Sequence, residues 1–179
     1  ESEQLKHCFD IIVSSALEQP QVAMHRDFHS RNIMILENKT LGVIDFQDMV
    51  IGPITYDIVS LLRDCYTRWP DKVTQPLFSD FCRLMAEHYS LTHVSEQQWN
   101  RWFDLMGLQR HIKASGIFCR LLHRDDKSGY LKDVPLTLSY IVDISAKFPE
   151  LAFLHQLVAT KVVPAFAAKE QLDKVRKSL

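Results

Sequence analysis

No two of the four cysteines, Cys8, Cys65, Cys82 and Cys119, stand close enough for a C-x-x-C pair. That spacing excludes a zinc knuckle or a dithiol redox motif and reads as reduced thiols in a cytoplasmic protein. Glycine and proline are scarce, five and seven in 179 residues, which argues against a turn-dense β-sandwich. Neither sign of charge dominates: 21 basic residues face 22 acidic ones, for a net charge of −1. Broad binding of nucleic acid or of an anionic membrane would need a basic excess, so neither partner is expected. No unbroken apolar run approaches the roughly 18 residues of a membrane span. The first residues lack the basic-then-apolar order of a secretory leader.

What the chain does have is length and apolar content, 46% hydrophobic residues, enough for about one domain that buries about 70% of its unfolded surface. Residues 1–19 carry Leu5, Cys8, Phe9, Ile12, Val13, Ala16 and Leu17 at helical spacing, and Pro20 ends that pattern. Three short apolar runs follow, at 22–24, 33–36 and 41–44. The polar turn Glu37-Asn38-Lys39-Thr40 joins the last two as a predicted hairpin. Gly52-Pro53 reads as a break, and Thr55 as the N-cap of a helix through Leu62. Beyond Pro70-Asp71 the patterning is helical: 76–89, then 96–122 opened by the capping sequence Ser95 to Gln98, then from Pro135 to about Lys147, then from Pro149 to about Lys177 with Pro164 splitting it. Gly107 and Gly116 fall inside the long helix and predict close packing or a kink. The expected fold class is mainly α with a small β element.

The polar residues of the β region form an unusual constellation. His25-Arg26-Asp27 and Asn32 make H-R-D-x-x-x-x-N, and Asp45 follows 18 residues after Asp27 at the end of an apolar strand. This is the layout of a kinase catalytic loop and its metal-binding aspartate. A hydroxyl is a poor nucleophile until its proton has an acceptor, and Asp27 can be that base. Asn32 and Asp45 offer the hard oxygen donors that Mg²⁺ takes. His25 and Arg26 are read as support for the loop. His25 and His29, four apart, would pair on a metal if helical, but Pro20 and the apolar run at 22–24 favour strand and loop. Phe28, Phe46 and Met49 are read as packing residues.

With these residues in place, the chain resembles the aminoglycoside phosphotransferase-like kinases. The matching stretches are residues 22–34, Gly42 to Phe46, Gly52-Pro53 and Tyr56-Asp57-Ile58. Gln47 stands where a protein kinase would carry the glycine of Asp-Phe-Gly, and an Ala-Pro-Glu segment is missing, so the resemblance is to small-molecule kinases. It implies ATP as donor and Mg²⁺ as its partner, and it implies that Asp57 braces the catalytic loop by accepting backbone N–H bonds. A narrower resemblance, in Ile44 to Asp48, Gly52 to Asp57, Asp104 to His111, Gly116 to Phe118, His123 to Asp125 and Tyr130 to Pro135, is to the bacterial cell-wall amino-sugar kinases. It implies phosphorylation of the anomeric hydroxyl of N-acetylmuramate and N-acetylglucosamine in peptidoglycan recycling. Aminoglycoside, choline and homoserine kinases of the same superfamily are the alternatives, as is a kinase-like domain that binds without transferring phosphate.

Candidate acceptor contacts come from the long helix. Arg110, Lys113, Arg120 and Arg124 fall at offsets 0, 3, 10 and 14 on one stripe. An arginine there could grip the lactyl carboxylate of N-acetylmuramate in a two-pronged way. Asp48, Gln109 and His111 are further candidates for sugar contacts. In kinases of this type a complete N-terminal lobe, with its phosphate-covering loop and lysine, precedes the catalytic loop. Here about 24 residues precede His25, and no glycine occurs before Gly42. Residues 1–179 are therefore expected to be the C-terminal lobe alone, with the catalytic loop and metal site at 22–48 and a helical acceptor region at 54–179. The nucleotide lobe of the same protein would be the partner it lacks, and little phosphotransfer is expected from this part by itself.

Overall fold

Helices dominate residues 1–169, which a computed structural model describes, and strands are confined to two small two-stranded sheets. The chain forms two compact units: residues 12–110, and residues 1–11 together with those from 111 onward. Helices α1 (Ser2–Leu17) and α4 (Glu96–Asp125) each contribute to both.

In the unit of residues 12–110, strand β1 (Gln21–Met24) pairs antiparallel with β4 (Val50–Pro53), Gln21 opposite Pro53 and Met24 opposite Val50. Strand β4 departs from the sequence expectation, which saw only a break at Gly52-Pro53. Proline closes the ladder at its end, where a missing N–H is tolerated. Strands β2 (Ile33–Ile35) and β3 (Leu41–Val43) form the expected hairpin, Ile33 opposite Val43. Its turn is fixed locally: the Asn38 side-chain oxygen accepts from the Thr40 amide at 3.1 Å and from its hydroxyl at 2.6 Å.

Helix α2 (Tyr56–Leu62) begins where expected, but by a different device. The Thr55 side chain makes no cap bond; its hydroxyl donates to Gln19 Oε1 at 2.7 Å, within the buried core. A tertiary partner has outcompeted the local cap. Helix α3 (Asp71–His88) starts five residues before the predicted Pro76, which sits inside it. Helix α4 does carry its predicted cap, with the Gln98 amide donating to Ser95 Oγ at 3.2 Å. It extends past the predicted end to Asp125 without interruption, and nothing lies within 4 Å of where a Gly116 Cβ would stand. Of the close packing or kink expected there, the close packing is absent at Gly116. Ile54, Tyr56, Val59 and Leu62 pack with Phe78, Leu91, Trp99, Trp102, Phe103 and Met106 as the core of this unit. The Phe78 and Phe103 rings lie 4.1 Å apart.

The other unit is helical. Helix α5 (Val134–Ser145), with Pro135 in its first turn, buries Val134, Leu138, Tyr140, Ile141 and Ile144. The His111 and Tyr140 rings stack at 4.2 Å, and the Ser115 and Thr137 hydroxyls bond at 2.7 Å. A 3-10 turn (Pro149–Leu151) leads into α6 (Ala152–Leu157), which widens to a π-helical turn at Val158–Val162. Pro164 lacks an N–H and crowds the carbonyl of Thr160, so the wide turn absorbs the proline that was expected to split the helix. Helical residues continue to 169; the predicted end at Lys177 lies outside the described residues. Taken together, Pro149–Lys169 is long and apolar enough to cross a membrane by length and composition. It holds no unbroken apolar run of that length, because polar residues such as Gln156 and Lys161 are spaced along it. Lys161 pairs with Glu1 at 2.7 Å, which holds the exposed Glu1 carboxyl below its usual range.

Candidate active site

The loop from His25 to Asn32 runs from β1 into a single 3-10 turn (Ser30–Asn32) and then into β2. It brings the Asn32 side chain against the Asp27 backbone and the Asp45 side chain. The Asn32 amide donates to the Asp27 carbonyl at 2.9 Å and to Asp45 Oδ2 at 3.3 Å. The Gln47 amide donates to the other Asp45 oxygen at 2.5 Å. The half-buried Asp27 carboxylate takes no hydrogen bond from the described residues, which leaves it available to a substrate proton. Asp45 holds a positive φ of 67°, at the sharp turn just past β3. Asp tolerates that conformation better than most residues.

The loop is held from outside itself. Asp57, in the first turn of α2, accepts from the His25 amide at 2.6 Å and from the Arg26 amide at 3.0 Å. His25 is buried, and its Nε2 donates to the Ile44 carbonyl at 3.0 Å, tying the loop to the end of β3. The Ile44 amide in turn donates to the Asn32 carbonyl at 3.1 Å. Arg26 sits in the left-handed region at φ 76°, where a residue with a Cβ costs roughly 1–2 kcal/mol. Asp57 takes the N–H of this strained residue, and Arg110 donates to its carbonyl at 3.2 Å. The Arg26 guanidinium reaches the Asp48 carbonyl at 3.4 Å.

A second carboxylate, which the sequence reading passed over, holds the middle of the loop. Asp64 is 1% exposed and accepts from the Ser30 amide at 3.2 Å, the Ser30 hydroxyl at 2.6 Å and the Tyr66 amide at 3.0 Å. Tyr66 carries the Arg31 guanidinium on its face at 3.4 Å and meets the His29 ring edge-on at 5.8 Å. Asp64 lies two residues past the end of α2, outside the helix that carries Asp57. A lone aspartate after a helix gives no local reason to pick it out.

The remaining candidates are dispersed. The Asp48 side chain is exposed, and Gln109 buries an unbonded Oε1. His111, Arg120 and Arg124 belong to the other unit. His111 is fully buried against Tyr140, and Arg120 is exposed. Arg124 spends its guanidinium on the neighbouring Asp125, at 2.8 and 3.1 Å, and so holds that carboxyl below its usual range. Phe46 and Met49, read as packing residues, are instead exposed, at 61% and 48%. Ile35 on β2, Leu41 on β3 and Ile51 on β4 are exposed as well.

The donor set suits Mg²⁺. Among the described residues no group of three or more His, Cys, Asp and Glu could hold a metal by itself. Asn32 and Asp45, joined by a hydrogen bond, present an amide and a carboxylate, and Mg²⁺ ordinarily takes one or two protein oxygens and completes its shell with phosphate and water.

The chain is 42% identical over 149 residues to the N-acetylmuramate/N-acetylglucosamine kinase of Pseudomonas putida, covering 83% of this chain and 44% of that protein. Identity is 41% over 155 residues to the enzyme of the same name from Pseudomonas aeruginosa, 87% of this chain and 46% of the relative. It is 39% over 153 residues to that of Neisseria meningitidis, 86% and 46%. The chain thus spans under half the length of the curated relatives it matches. The model of the APH phosphotransferase enzyme family matches residues 3–111, which take in the loop from His25 to Asn32, Asp45, Asp57 and Arg110. With that match over more than half of its length, the chain belongs to the APH phosphotransferase family.

Proposed function

We propose that this chain supplies the catalytic loop and metal site of a cytoplasmic, ATP-dependent kinase acting on the anomeric hydroxyl of N-acetylmuramate and N-acetylglucosamine. The observation that carries this reading is the Asn32 amide bridging the Asp27 carbonyl and the Asp45 carboxylate, beside a free Asp27 side chain. The names of the relatives support the choice of acceptor.

In the proposed reaction the sugar hydroxyl gives its proton to the Asp27 carboxylate as its oxygen bonds to the γ-phosphorus, and the bond from that phosphorus to ADP breaks. Asn32 holds the loop so that Asp27 stays in line, and Asn32 with Asp45 would hold Mg²⁺. Mg²⁺ held there would supply charge neutralisation on the transferring phosphate. Asp48 and Gln109 are the candidate acceptor contacts in the same unit.

The exposed Ile35, Leu41, Phe46 and Ile51 support a second part of the reading. Ile35 and Leu41 stand opposite each other across the β2–β3 pair, and an exposed apolar patch marks an interaction site. An N-terminal nucleotide lobe of the same protein would cover this one, so residues 1–179 alone are expected to transfer little phosphate. The free cysteines suit a reducing compartment.

The test is incubation of the full-length protein with Mg²⁺ and ATP against a panel of acceptors, with products identified by NMR. Phosphate at C1 of either amino sugar supports the proposal. Turnover confined to an aminoglycoside, choline or homoserine, or none with any acceptor, refutes it.

A further inference from the structure

We infer that Arg110 is a positioning residue for catalysis, which holds the Arg26–Asp27 peptide, rather than a contact to the acceptor's carboxylate. The inference rests on the proposed kinase reading and deepens it. Arg26 is the strained residue immediately before the proposed base, and each end of it is gripped from outside the loop. Asp57 Oδ1 takes its N–H at 3.0 Å, and Arg110 Nη1 donates to its carbonyl at 3.2 Å. The carbonyl that Arg110 holds belongs to the peptide whose other half is the Asp27 amide. A turn of that peptide would change ψ at Arg26 and φ at Asp27, and so swing the Asp27 side chain away.

The guanidinium is itself aimed by its surroundings. Its plane lies over the Tyr56 ring, 4.5 Å from the centroid, and that ring is buried. Tyr56 precedes Asp57, so the first turn of α2 supplies the platform for one grip and the carboxylate for the other. A fixed planar fork on an aromatic face is what arginine offers and lysine does not. Two-pronged capture of a carboxylate needs an open edge of that fork. The Nε of Arg110 is buried and without a hydrogen-bond partner, and Nη1 is engaged with Arg26, so the Nε edge is closed to a dissolved ligand.

The experiment compares Arg110→Met and Arg110→Lys with wild type in the full-length enzyme, measuring kcat and KM on both N-acetylglucosamine, which has no carboxylate, and N-acetylmuramate, which has one. Far-UV circular dichroism and thermal melts establish folding. Displacing Asp27 by a fraction of an ångström to 1 Å is expected to lower kcat by roughly 10- to 100-fold, alike on the two sugars, with KM nearly unchanged. A merely structural role would not split kcat from KM in this way. A rise in KM confined to N-acetylmuramate overturns the inference and makes Arg110 an acceptor contact; wild-type kinetics in both variants also overturns it. Should Arg110→Met fail to fold, Arg110→Lys alone decides by the same criteria, wild-type kinetics again counting against. If the wild-type protein phosphorylates neither sugar, the amino-sugar reading falls separately, and Arg110 is judged by kcat and KM on whichever acceptor the panel identifies.

Discussion

Asn32 donates its side-chain amide to Asp45 Oδ2 at 3.3 Å, across the hairpin that β2 and β3 form, and the same amide holds the Asp27 carbonyl at 2.9 Å. One side chain thus ties the proposed base to the proposed metal carboxylate. Asn32→Ala removes both bonds and an oxygen donor. In the full-length enzyme it is expected to raise the Mg²⁺ concentration needed for half-maximal activity by roughly 10- to 100-fold. Titration of activity against Mg²⁺ at saturating ATP checks this. An unchanged midpoint would separate Asn32 from the metal.

Asp27→Asn keeps the shape of the side chain and removes its basicity. Its carboxylate bonds to none of the described residues, so little of the fold depends on its charge. The expected result is a kcat lower by roughly 10²–10⁴, the range for loss of a general base, with a melting temperature close to wild type. A kcat within a few-fold of wild type would mean that another group takes the proton.

The constellation of Asp27, Asn32 and Asp45 was legible because this chemistry needs particular residue types at short, fixed spacings, and short spacing survives in sequence. The hairpin was legible for a similar reason: the turn Glu37 to Thr40 is closed by its own residues. Strand β4 was not, because its partners on β1 lie 26 to 32 residues earlier in the chain and Gly52-Pro53 carries a local signal for a break. Thr55 misled for the reverse reason, since its local capping signature lost to a tertiary bond with Gln19. Phe46 and Met49 looked like core by residue type, yet their exposure depends on what lies across from them. Asp64 is the clearest case of a residue without a local signal; only its contact with Ser30, 34 residues away, gives it a role.

That contact has a measurable cost. Asp64→Ala leaves the Ser30 amide, the Ser30 hydroxyl and the Tyr66 amide without their acceptor. Ser30 is exposed and can turn to water in part, so the expected loss is about 2–4 kcal/mol rather than the sum of three buried orphans. Ser30→Ala removes one bond and is expected to cost about 1 kcal/mol. Urea denaturation of the two variants in the full-length protein measures the difference. Equal costs would show that Asp64 does not hold the loop.

Cys82, on α3, provides a prediction whose sign follows from burial. Loss of water around the thiol pushes its pKa up from 9.0 to about 12; a backbone hydrogen bond opposes this, and the Glu96 carboxylate adds to the rise. Below pH 9 the thiol is neutral whether the chain is folded or not, and it contributes no pH dependence. Between pH 9 and about 12 the unfolded chain releases a proton that the folded chain keeps, so the unfolded state is favoured and stability falls as pH rises. The thiolate is also the reactive form. At pH 9 Cys82 in the folded protein is therefore expected to resist iodoacetamide that modifies it readily in urea, as read by peptide mass spectrometry. Equal modification in both states would show that the Cys82 thiol ionises in the fold as freely as in the open chain.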